Sequence, residues 1–80
     1  MADEAERDFF QGLVHVAVGW YQAGRGNRTG CERQLAKAQR RLEPFAPAHR
    51  GVDVESLLEQ LRAAAATVAA GSLDLPAPLV

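Results

Sequence analysis

Residues 9 to 21 read Phe-Phe-Gln-Gly-Leu-Val-His-Val-Ala-Val-Gly-Trp-Tyr, and wound into a helix this run has almost no polar side. At about 100° per residue, Phe9, Leu13, Val16 and Trp20 make one apolar face. Phe10, Val14, Val18 and Tyr21 make a second face beside it, with Ala17 between the two. Only Gln11, His15, Gly19 and Gln22 cluster as a polar strip. A surface helix of a globular protein carries an apolar stripe of about 100°, and this arc is far wider. The segment is a hub that requires neighbours on more than one side.

The rest of the chain supplies two narrower partners. Cys31, Leu35, Ala38 and Leu42 recur at helical spacing on a second helix, and Val54, Leu57, Leu58, Leu61, Ala65 and Val68 do so on a third. The first helix is expected to start at Asp3 as N-cap and to end at Ala23, with Gly24 as the left-handed residue beyond it. Asn27 or Thr29 caps the second, which ends near Leu42 or Glu43 because Pro44 disfavours helical geometry before it. Phe45 to Gly51 reads as a loop. Asp53 caps the third helix, with Val52 and Leu57 as a hydrophobic staple, and an alanine-rich run carries it to Gly71. Residues 72 to 80 form an extended tail with two prolines, either packed back or loose. The fold class expected is therefore all-α, one antiparallel three-helix domain over residues 1–71 followed by the tail.

Eighty residues make a single domain whose core is marginal. The lone cysteine, Cys31, closes no internal disulfide, and no Cys/His cluster has metal-ligand spacing. Self-association is then the leading way to bury more surface. The acidic N-terminus argues against a secretory signal, and no apolar run reaches the roughly 18 residues that a membrane span requires. The expected location is the cytoplasm.

The net charge of −1 conceals a separation. Residues 24 to 50 hold seven cations against two acids, a net of +5, and the remainder holds two cations against eight acids, a net of −6.

Residues from about Asp8 to Phe45 resemble the domain of unknown function 309 family. The resemblance rests on Phe9-Phe10-Gln11-Gly12-Leu13-Val14-His15, on Arg25-Gly26-Asn27-Arg28-Thr29-Gly30 and on Leu42-Glu43-Pro44-Phe45, with Gly51-Val52-Asp53-Val54 matching a later segment. It implies a small helical protein with a tetratricopeptide-like hairpin and no assigned biochemical role. Trp20-Tyr21-Gln22-Ala23-Gly24, Ala36-Lys37-Ala38 and Glu43-Pro44 carry the hairpin flavour, but a solenoid needs at least about three such units. The family usually opens with a further helix bearing a His-Glu pair, to which nothing here corresponds. That helix would have covered part of the first helix of this chain.

Each reactive side chain has a plainer reading beside its functional one. His15 falls on the polar strip with no catalytic partner implied by spacing, and reads as a solvated or capping histidine. His49, in a Pro-flanked loop, carries still less. Cys31 lies on the core stripe of the second helix and reads as a small buried hydrophobe. Gly12, Gly19 and Gly30 lack phosphate-loop spacing, and close approach of helices is the reason to retain glycine inside them. Arg33, Lys37, Arg40 and Arg41 line the outer face of the second helix. Such a stripe contacts nucleic-acid phosphates or simply faces water.

The sequence thus favours a non-catalytic interaction or structural module, a homo-oligomer and foremost a dimer, using Phe10, Val14, Val18 and Tyr21. A second protein supplying the missing helix is the other partner for that face. The alternative function is nucleic-acid binding through Arg33, Lys37, Arg40 and Arg41, and an enzyme or metal protein using His15 or Cys31 comes third. No catalytic residue, cofactor or metal is assigned, and no membrane partner is expected.

Overall fold

The computed structural model describes residues 4–78, and within them the chain is predominantly α-helical. Three helices, α1 (Glu4–Gly24), α2 (Arg28–Leu42) and α3 (Val54–Ala69), follow one another, with a 3-10 turn (Glu43–Phe45) and two short strands, β1 (Ala48–His49) and β2 (Val52–Asp53), between α2 and α3. Helix α2 packs against both neighbours and most extensively against α1. It runs antiparallel to each. Gly12 of α1 faces Leu42 and Gly19 faces Leu35, while Arg28 at the start of α2 reaches the carbonyl of Ala69 at the end of α3.

Helix boundaries follow from local chemistry. Glu4 and Glu6 sit in the first turn of α1, where carboxylates complement the positive end of the helix dipole; the expected cap Asp3 lies outside the described residues. At the other end α1 continues through Gly24, and the left-handed position falls on Gly26 (φ 76°). Asn27 N donates to Gln22 O at 2.9 Å and Gly26 N to Ala23 O at 3.1 Å, the two bonds of a Schellman motif. The expectation that Gly24 terminates the helix is corrected for this reason. Asn27 then caps α2 directly, its Oδ1 accepting from Gly30 N at 2.9 Å.

Helix α3 has the same design. Asp53 Oδ1 accepts from Ser56 N at 2.9 Å, as expected. The helix ends at Ala69, and Gly71 takes the left-handed position that closes it (φ 99°), with Ser72 N and Gly71 N donating to Thr67 O and Val68 O as a second Schellman pair.

The expected loop at 45–51 is more ordered than a loop. After the 3-10 turn and a cis Ala46–Pro47 bond, β1 and β2 pair antiparallel across Arg50-Gly51. Both turn residues have positive φ, 51° and 79°, as a two-residue type I′ hairpin requires. Glu55 N donates to Pro47 O, tying this hairpin to the first turn of α3.

The core is apolar throughout. Cys31, Leu35, Ala38 and Leu42 of α2 are buried, as are Val54, Leu57, Leu58, Leu61 and Val68 of α3. The sixth buried position on α3 is Ala64 and not Ala65, which is only half-buried; Ala64 stands three residues after Leu61 and seven after Leu57, in line with both. From α1 the buried residues are Phe9, Gly12, Val16, Gly19 and Ala23. Leu13 and Trp20 pack only partly against the core. The buried side of α1 is therefore rotated toward what the sequence suggested was its polar strip, because Gly19 and its neighbour Gly12 are where α2 approaches. The tail packs back: Leu73 and Leu75 rest on the core, and Trp20 Nε1 donates to Pro76 O at 2.7 Å.

A Cβ built at Gly12 would stand 2.7 Å from Leu42 Cγ and Cδ2, whereas at Gly19 it would stand 3.2 Å from Leu35 Cδ2. Overpacking costs about 1–3 kcal/mol, and replacing a helical glycine by alanine returns about 1 kcal/mol. Gly12→Ala is expected to lower unfolding free energy by up to about 2 kcal/mol, and Gly19→Ala to change it by under about 0.5 kcal/mol. Urea denaturation of the two variants checks the contrast.

Candidate functional site

With its glycine side turned to α2, α1 presents the opposite side outward. Phe10, Val14 and Tyr21 are 52%, 57% and 59% exposed, and among the described residues they are the large hydrophobic side chains left in the open. All three belong to the face predicted for self-association. Its fourth member, Val18, is half-buried. Ala17, exposed between them, completes the strip.

A guanidinium lies over each exposed ring. Arg25 stands 5.8 Å from the Tyr21 centroid and donates to the Tyr21 hydroxyl at 3.1 Å. Arg50 stands 5.7 Å from the Phe10 centroid. Such cation–π contacts are worth about 0.5–1 kcal/mol at exposed sites, enough to bias the rings toward one orientation. The face is apolar along its middle and cationic at its ends.

Beside this face runs a groove of about 880 Å³ between α1 and α2. Asp8, Val14 and His15 line one wall, Lys37, Arg40 and Arg41 the other, and Phe45 lies at one end. Val14 from the predicted interface thus meets three of the four predicted phosphate contacts. Arg33 does not line the groove. Arg41 is engaged by Asp8, Nη1 to Oδ1 at 2.7 Å, whereas Lys37 and Arg40 have no acidic partner among the described residues. The arrangement sets an apolar ridge beside these two cations.

Both histidines are hydrogen-bonded within the chain. His15 Nδ1 donates to Gln34 Oε1 at 2.6 Å, so the ring joins α1 to α2. His49 Nε2 donates to Glu6 Oε1 at 2.8 Å, and Arg50 Nη1 donates to Glu6 Oε2. The His49 ring also meets Phe9 and Phe45 at centroid distances of 4.6 and 4.7 Å. This cluster clamps the hairpin onto the first turns of α1. Sequence reasoning missed it, since Glu6 lies more than 40 residues from His49 and Arg50 and no periodicity links them; the available signal was the acidic start of α1 against a His-Arg pair at a hairpin tip.

Among the described residues no group of three or more His, Cys, Asp or Glu is placed to hold a metal ion, and no helix is long and apolar enough to cross a membrane. Comparison with protein-family models, with curated proteins and with solved structures yields no significant match.

Cys31 is fully buried. Burial pushes its thiol pKa above the ordinary value of 9.0, and the Glu32 carboxylate adds to the rise. The folded chain therefore holds this proton to higher pH than the unfolded chain does, and stability falls as pH climbs past the ordinary thiol range. Native protein is expected to react with a thiol reagent only as it unfolds. Reaction at the rate of a free thiol in native buffer would contradict this.

Proposed function

We propose that this protein is a non-catalytic interaction module that associates with itself through the outward face of α1, formed by Phe10, Val14, Val18 and Tyr21. The observation that carries this reading is the concentration of exposed large side chains on one helix side. Scattered apolar residues are ordinary on a protein surface, whereas a contiguous set along one element marks a contact surface. Small chains also gain most from such burial. The resemblance of residues 8–45 to the domain of unknown function 309 family belongs to the same reading, as a proposed relationship. A second protein that lays a helix on this face is the other occupant the chemistry admits.

Size exclusion with light scattering tests the reading. A mass twice the 8.6 kDa of one chain at micromolar concentration is expected, and a strictly monomeric folded protein would sink the homo-oligomer. Val14→Asp should weaken association by about 100-fold or more, because a two-fold contact desolvates the new carboxylate twice. Val14 is exposed in the single chain, so the variant should keep its helical circular dichroism.

One observation favours a second reading, nucleic-acid binding. Lys37 and Arg40 line the groove without an acidic partner among the described residues, and exposed Arg33 continues the row. Against it, Arg41 is engaged by Asp8, and three free cations give little phosphate affinity at physiological salt. Titration with mixed DNA and RNA separates the two: on this reading, Lys37→Ala and Arg40→Ala each reduce the salt slope by about one, whereas on the leading reading no binding appears.

A further inference from the structure

We infer that the cleft between α1 and α3 is a docking site for an extended apolar peptide segment of the form Leu-x-Leu-Pro, which residues 73–78 of the chain occupy in cis as a displaceable strap. The cleft is separate from the outward face of α1, and the inference stands or falls without self-association.

Helices α1 and α3 both pack on α2 and scarcely on each other. The opening this leaves has Trp20 of α1 on one side and Gln60, Ala63, Ala64 and Thr67 of α3 on the other. Spacings of three and four residues put the α3 members on one helix face. The chain beyond Gly71 returns to this opening. Leu73 and Leu75, half-buried, rest on the core while Asp74 between them is exposed, the alternation of an extended chain. Pro76 then presents its carbonyl to the Trp20 indole N–H, which donates to it at 2.7 Å.

These are the contacts a bound peptide makes. Residues 73–78 belong to no helix and no sheet, and their other described hydrogen bonds are local, Asp74 N donating to Ser72 Oγ and Leu75 N to Leu73 O. Recognition of extended segments draws specificity from seats for alternate side chains and from aromatic groups that meet prolines. Leu73 and Leu75 show the first device, and Trp20 beside Pro76 the second. The indole bond goes to a main-chain carbonyl, so another segment with leucines at this spacing followed by proline makes the same contact. The lining holds no charged side chain, which favours an apolar segment over an acidic one.

The strap is built to leave. The Schellman closure of α3 ends at Ser72 N, so residues 73–78 can lift away without opening the helix. Their fill is also incomplete, since a cavity of about 160 Å³ remains between Pro76, Trp20 and the α3 face. An apolar space of about 150 Å³ accepts a benzene ring. A segment of another protein with a bulkier apolar side chain at this point buries more surface than the resident one.

A capped peptide of residues 72–78, Ser-Leu-Asp-Leu-Pro-Ala-Pro, is the probe, and Trp20, the single tryptophan, is the reporter. The full chain carrying Leu73→Ser and Leu75→Ser is expected to bind the peptide saturably, with a blue shift of Trp20 emission. Its affinity should exceed that of the natural chain by about 10-fold or more, because the natural strap competes at an effective concentration in the millimolar range. No saturable binding to the double variant, or equal affinity for the two chains, overturns the inference. Undiminished binding of a peptide that itself carries Leu73→Ser and Leu75→Ser overturns it as well. If the double variant loses its helical circular dichroism, NMR of the natural chain with millimolar peptide replaces it. Residues 73–77 are then expected to move toward free-peptide shifts while the Trp20 indole N–H keeps its bonded position. Strap signals that stay fixed overturn the inference.

Discussion

Where α1 meets α2, side-chain atoms of Leu42 and Leu35 occupy the space that a side chain at Gly12 or Gly19 would need. Glycine is expensive inside a helix, and here the cost is offset by bringing one backbone close to two leucines that are themselves excluded from water. The two glycines are two turns apart, so the contact sets how α1 is rotated as well as where it lies. Once that rotation is set, Phe9, Val16 and Ala23 turn inward and Phe10, Val14 and Tyr21 turn away. The exposed face is a consequence of the seam.

The remaining contacts lock this rotation from both ends. Near the start of α1, Glu6 holds His49 and Arg50 while Phe9 packs edge-on to Phe45 and His49. Toward its end, Trp20 is bonded to the returning tail. His15 and Gln34 join across the seam itself. No polar or charged side chain is buried among the described residues, so these contacts lie around an apolar interior.

Much of the helical framework was legible in the sequence because single-face helices announce themselves. The stripe Cys31, Leu35, Ala38 and Leu42 is the buried side of α2 without exception, and Asn27 and Asp53 cap as their side chains predict. The orientation of α1 was harder, since a glycine buried by a neighbouring backbone contributes nothing to a hydrophobic count. By pattern alone Gly19 thus falls on a polar strip although it lies at the contact. Gly24 and Gly26 show a related difficulty: either could terminate the helix, and only the hydrogen bonds to Gln22 and Ala23 distinguish them. The hairpin and the Glu6 clamp depend on pairings across the whole chain, which local patterns do not carry. For the site, the sequence singled out both the apolar face and the basic row, but their meeting at Val14 along one groove is a property of how α1 and α2 are docked.

The glycine seam turns one side of α1 outward, and we propose that side as the place where a second copy attaches. A dilution series followed by two-dimensional NMR, from millimolar to micromolar protein, addresses it residue by residue. Concentration-dependent shifts are expected for the Val14 and Val18 methyls and the Phe10 and Tyr21 rings, with Val16, Leu35 and Leu42 unchanged. Shifts that centre on α3, or signals of Phe10, Val14 and Tyr21 that stay constant throughout the dilution, would contradict it.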